Sequence, residues 1–157
     1  MELRERISDA TKQAMRARDQ ARLSTLRLIG AAIKDREIAA RGEGAAKAVD
    51  DGLTTEELVA LLSKMVKQRQ ESARAYEEGG RLELADREKF EIDIIREFLP
   101  RQMDSAEVAA AVEKVVADLG ATSVRDMGRV MGELRARHAG QMDFAAVGAV
   151  VKSRLMG

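Results

Sequence analysis

Glycines and arginines recur at helical spacing near the C-terminus of this chain. Arg125, Gly128, Gly132 and Arg135 share one stripe of a helical projection, with Arg129 at its edge, and Gly148 and Lys152 echo the pairing further on. A glycine inside a helix costs about 1 kcal/mol relative to alanine, so a sequence that keeps it gains something in return. Two gains are open. Small residues let helices cross closely. They also leave a smooth surface that a sugar–phosphate backbone can approach, with arginines supplying charge-assisted bonds to phosphate. Spacing alone does not choose between packing and binding, and both can hold.

Other chemistry is sparse. The chain has one histidine and no cysteine, which removes disulfides, thiolate nucleophiles and thiolate metal sites. His138 falls on an apolar face at a helix end, where a capping or core role is expected. Glu88, Glu91 and Asp93 have the spacing of a solvated helix face. Arg69 is less ordinary, because it falls on the apolar stripe of its helix; an ion pair with Glu88 or Glu91 of the following helix is expected. No catalytic residue, cofactor or metal site is assigned, and the residues point to binding rather than to an enzyme.

The elements that must position these groups read as helices throughout. Only 3% of the 157 residues are aromatic, one is proline and 34% are charged, so the core must be built from Leu, Ile, Val, Ala and Met. Leu3, Ile7, Ala10, Ala14, Ala17 and Ala21 form one stripe. Leu23, Leu26, Ile29, Gly30 and Ile33 form another, offset by more than a third of a turn. One straight helix cannot face both ways, so a break is predicted near Arg18-Asp19-Gln20, with a second helix running to about Ala40. Residues 41–53 read as a loop. Thr54 to Glu57 offers a capping box for a long helix bearing Leu58, Leu61, Leu62, Met65, Ser72 and Tyr76, which Gly79-Gly80 stops. Arg81 to Leu99 reads as a further helix, with Leu84, Ala85, Ile92, Ile95 and Leu99 inward, ended by Pro100.

Pro100 to Met103 is the best boundary, giving an N-terminal helical domain over 1–100 and a C-terminal one over 101–157. The second opens with a capping box at Asp104 and Glu107 and carries Val108, Val112, Val115, Val116 and Leu119 before Gly120. A helix from Val124 to His138 follows, with Val124, Met127, Val130, Met131, Leu134 and His138 inward. A last helix, capped by Asp143, turns Phe144, Val147, Val150, Val151 and Leu155 inward. The fold class is therefore all-α: a longer-helix N-terminal module followed by a small three-helix bundle.

Net charge is zero overall, but residues 122–157 hold six basic groups against three acidic ones. That excess is compatible with an anionic partner. No apolar run reaches the roughly 18 residues a membrane span needs. The N-terminus lacks the apolar core of a secretory signal, so a cytoplasmic location is expected.

Four stretches resemble the YqeY proteins, whose C-terminal domain is similar to the tail of the B subunit of the tRNA-dependent amidotransferase. They are Leu26-Arg27-Leu28-Ile29 with Ala32-Ile33-Lys34; Lys67 to Ser72; Gly80 to Ala85 with Glu88, leading into Phe98-Leu99-Pro100; and Met127 to Gly132 through Gly140 and Asp143 to Lys152 and Leu155. Gly128, Gly132, Gly140 and Lys152 match the shared pattern. Arg129 stands where lysine is common, and Met142 where a small residue is usual. The kinase-like, ATP-using part of the amidotransferase subunit is absent, and no phosphate-cradling loop replaces it.

The resemblance implies a non-catalytic accessory protein that binds RNA, with tRNA or a tRNA-bearing enzyme as partner. Arg125, Gly128, Arg129, Gly132, Arg135, Gly148 and Lys152 are the candidate contacts. The alternatives are a helical adaptor for a protein partner, or an accessory to a carbon–nitrogen ligase acting on aminoacyl-tRNA with glutamine as amido donor.

Overall fold

The computed structural model of the chain describes residues 2–42 and 52–157. Those residues form an all-helical protein with no strand among them. The chain folds as two compact units, one ending at Leu99 and one running from Pro100 to Gly157.

The first unit holds α1 (Leu3–Ala17), α2 (Gln20–Gly42), α3 (Thr55–Glu78) and α4 (Leu82–Arg96). The predicted break between α1 and α2 is present. Arg18 adopts φ 57° and ψ 32°, and the Arg18 and Asp19 amides donate back to the carbonyls of Met15 and Ala14. Asp19 then accepts from the Arg22 amide at 3.2 Å and starts α2. Turning the chain here lets most of both apolar stripes reach one core, which includes Ile7, Ala14, Leu26, Ile29, Leu62 and Ile95, while Ala17 and Ala21 at the turn and Gly30 are exposed. The helix α2 continues through Arg41 and Gly42, two residues past the predicted end. The rest of the predicted 41–53 loop lies mainly outside the described residues.

The long α3 begins at Thr54, whose hydroxyl accepts from the Glu57 amide at 3.1 Å, and stops at Gly79 as predicted. The helix α4 ends at Arg96, three residues before the predicted Leu99. The Phe98 and Leu99 amides there make tight bonds to Ile95 and Arg96 carbonyls ahead of Pro100. Two arginines hold this end. Arg6 donates to the Glu97 carbonyl at 2.9 Å, and Arg22 grips the Glu97 carboxylate with two bonds, at 2.6 and 3.0 Å.

Arg69 reaches across the α3–α4 seam to Glu91, Nε to Oε2 at 2.8 Å, with both side chains largely covered (16% and 18% exposed). Its Nη1 also donates to the Met65 carbonyl at 3.3 Å. The expected partner is therefore Glu91. Glu88 sits close by; burial, then the Glu91 charge, push its carboxyl above the usual range, with Arg69 opposing.

The second unit holds α5 (Ser105–Leu119), a 3-10 turn (Val124–Asp126), α6 (Met127–Arg137) and α7 (Phe144–Met156). The predicted capping box at α5 is complete, with Asp104 and Glu107 each accepting from the other's amide. The core includes Val112, Val115, Val130, Leu134 and Val151, none more than 1% exposed.

Two residues of this second unit predicted inward are not. Val124 is 42% exposed, because residues 124–126 form a 3-10 turn that takes it off the α6 stripe. Val150 is 41% exposed; the buried line of α7 is Val147, Val151 and Leu155, and Val150 lies about 100° away from Val151. Met142 fills part of the core at 7% exposure. A bulky residue there serves packing.

Candidate nucleic-acid interface

The face of interest is built from the α5 exit onward. Gly120 ends α5 in the left-handed region, φ 62°. The Asp126 carboxylate accepts from the Thr122 amide at 2.9 Å and the Ser123 amide at 3.3 Å. Those amides, with the Arg129 charge adding, hold its carboxyl below the usual range. The knot fixes the start of α6. At the other end His138 is the C-cap residue, and its Nδ1 lies 3.2 Å from Gln141 Oε1. This agrees with the predicted capping role. Gly140 turns the chain at φ 73°, and Asp143 starts α7 by accepting from the Ala145 amide at 3.0 Å.

Two contacts set how α6 and α7 meet. The Arg135 guanidinium lies over the Phe144 ring, 5.8 Å from its centre. A Cβ placed on Gly148 would sit 3.8 Å from Met127 Cε. The end of α6 thus meets the start of α7, and the start of α6 meets its middle, so the helices run antiparallel. Arg125 sits on the 3-10 turn, which also packs against α7.

Along one edge of α6, Gly128 and Gly132 are exposed, and a Cβ added to either would meet nothing within 4 Å. They make no helix crossing in this unit, so internal packing is not what they serve. Gly148, half-buried against Met127, is in ordinary contact distance of α6.

The cations divide into two groups. Arg137 bonds Asp118 at 2.8 Å and Glu133 at 2.9 Å, Arg154 pairs with Glu113, and Arg101 with Glu107. Arg129, a predicted contact, stays exposed but is partly engaged: it bonds the Leu119 carbonyl at 3.2 Å and lies 3.4 Å from Asp126. The α5 end carbonyl and Asp126 thus already answer part of its charge, unlike the cations that follow. Arg125, Arg135 and Lys152 pair with no carboxylate among the described residues and are exposed. The structure therefore brings Arg135 and Gly148 to the α6–α7 contact, leaves Gly128 and Gly132 on the exposed surface of α6 and Lys152 on that of α7, and sets Arg125 on the adjoining turn. The Arg135–Phe144 stack was not foreseen, since Phe144 reads in sequence as a core residue; only the meeting of two helix ends creates it.

The Yqey-like protein family matches residues 4–155. The chain belongs to the YqeY family. Two yeast relatives are each named "Altered inheritance of mitochondria protein 41, mitochondrial". The one from Lachancea thermotolerans is 33% identical over 110 residues, which is 69% of this chain and 54% of that protein. The one from Clavispora lusitaniae is 38% identical over 89 residues, 56% of this chain and 46% of that protein. The YqeY-family chain thus matches only about half the length of these relatives. Among its described residues no helix is long and apolar enough to cross a membrane.

Proposed function

We propose that this YqeY-family protein is an RNA-binding accessory protein whose C-terminal unit holds tRNA, free or on a tRNA-bearing enzyme, along the α6–α7 seam. One observation carries the reading. Two helical glycines of α6 present bare backbone to solvent, and Arg125, Arg135 and Lys152 of the same unit are exposed with no carboxylate partner among the described residues. Uncovered backbone and uncompensated positive charge suit a phosphate chain, which demands close approach and counter-charge. Recognition is by shape and phosphate contact, with the Arg135–Phe144 stack as a site for an unpaired base. A role beside a carbon–nitrogen ligase is the form of this reading in which the RNA arrives enzyme-bound. A cytoplasmic setting belongs to it as well.

Fluorescence anisotropy with bulk tRNA tests it. The wild-type chain binds at low salt, with affinity falling steeply as salt rises. Replacing Arg125, Arg135 and Lys152 with alanine weakens binding at least about tenfold and lowers the log–log salt slope by roughly 2 to 3, about one per lost phosphate contact. Absence of binding by folded protein at low salt sinks the proposal, and so does an unchanged triple variant.

The exposure of Val124 and Val150, at 42% and 41%, favours a second reading as an adaptor for a protein helix. A stoichiometric partner retained after nuclease treatment is the result that supports it.

A further inference from the structure

Between α3 and α4 lies an open cleft of about 430 Å³. Small-molecule sites span roughly 300 to 1,000 Å³. The two helices line it at matching spacing: Gln70, Arg74 and Glu77 from α3, and Lys89, Asp93 and Arg96 from α4. Ala73 and Ile92, both buried, make an apolar floor.

At one end the charges are satisfied, with Lys89 Nζ 2.7 Å from Glu77 Oε1. Elsewhere they are not. The side chains of Arg74, Arg96 and Asp93 make no ion pair or hydrogen bond among the described residues, although Arg74 and Asp93 line the same space. Opposite charges that share a cleft without closing on each other leave room for a molecule that answers both.

We propose that this cleft binds a small zwitterion. Arg74 and Arg96 hold its phosphate or carboxylate, since a guanidinium fork matches either group with paired bonds. Asp93 receives its ammonium, and the Ala73–Ile92 floor takes the linking carbons. A simple anion answers the arginines but leaves Asp93 uncompensated beside it. A polyanion is repelled by the same carboxylate. The proposal stands independently of RNA binding, which involves the other unit.

Amide-resolved NMR titration of the full chain tests it with three probes: phosphoethanolamine, γ-aminobutyrate and inorganic phosphate. One of the two zwitterions shifts the amides of residues 70–77 and 89–96 saturably, at least about tenfold tighter than inorganic phosphate. Which zwitterion does so identifies the anionic group. Converting Arg74 and Arg96 to glutamine abolishes the shifts. Asp93→Asn keeps phosphate binding and erases the preference for the zwitterion. Thermal melts of the variants confirm that they are folded; should the double variant unfold, Asp93→Asn alone decides. Non-saturable shifts with both zwitterions, affinity equal to that of phosphate, or a preference that survives Asp93→Asn overturns the assignment.

Discussion

The α3–α4 seam and the α6–α7 seam are both antiparallel helix pairs, and each leaves cations unpaired. They differ in what stands among those cations. At α3–α4, Asp93 lines the same cleft as Arg74 and Arg96 without an ion pair, and Lys89 is already tied to Glu77. At α6–α7 the nearby carboxylates are spent: Asp126 on backbone amides, Glu133 on Arg137, and Asp143 on the α7 cap. A mixed-sign concavity suits a small amphoteric molecule. An edge with bare backbone, whose carboxylates are held by amides or arginines while other cations stay unpaired, suits a long polyanion. The number of arginines is similar at the two seams; the state of the neighbouring acids separates them.

The largest expected effect tests whether the α6–α7 edge depends on its core. Leu134 is fully buried, so Leu134→Ala should cost about 2–5 kcal/mol, measured by urea unfolding. It should weaken tRNA binding as well, because α6 loses its seat. A fully folded variant with a cost below about 1 kcal/mol would show that the edge is held by other means.

Next come the glycines. With nothing within 4 Å of an added Cβ, Gly128→Ala and Gly132→Ala should each stabilise the protein by about 0.5–1 kcal/mol. Both should weaken tRNA binding. Destabilisation in thermal melts would restore a packing role and remove the contrast between the seams.

Chain reversal offers a smaller test. The second unit turns on Gly120 and Gly140 and the first on Gly80, but the first also turns on Arg18 at φ 57°. Arg18→Gly should stabilise by about 0.5 kcal/mol by relieving a left-handed residue that carries a Cβ. A loss of stability in denaturant unfolding would mean that the arginine side chain holds the turn.

The finest comparison is between two glutamates. The bond from Arg101, then the Asp104 amide, lower Glu107 from its ordinary 4.5 to about 2. Its contribution is therefore present above about pH 4.5 and is lost as pH falls towards 2. Burial raises Glu88, so its ionised form opposes folding. That cost is relieved as pH falls through the raised value and is gone below the ordinary one. Carboxyl-carbon NMR titration should find the two midpoints on opposite sides of 4.5. Coincident midpoints would erase the difference.

Much of this was legible in sequence because local rules carried it. The phase jump between the Ala14 and Leu26 stripes located the turn at Arg18. The spacing of Asp104 and Glu107 announced a cap, and Gly79-Gly80 a helix end. Arg69 on an apolar stripe announced an ion pair. What was not legible depended on which group a side chain meets across space. Arg129 sits in sequence among the candidate contacts, yet a carbonyl ten residues earlier captures it. Val124 left its stripe because the Asp126 knot tightened one turn. The α3–α4 cleft needs Arg74 and Asp93 brought to one space, and nothing in the spacing of either helix reports that.

Ahead of α5, Gln102 Nε2 donates to the Gly140 carbonyl at 2.5 Å, and the Met103 amide donates to the Gln141 carbonyl at 2.8 Å. Both acceptors belong to the turn joining α6 to α7. The lead-in to the second unit is thereby stitched to the hinge of its proposed binding edge. Met103 lies outside any helix, yet its amide is shielded only while that hinge keeps its shape. One amide proton, followed by hydrogen exchange, is thus a built-in gauge of whether α6 and α7 remain in register.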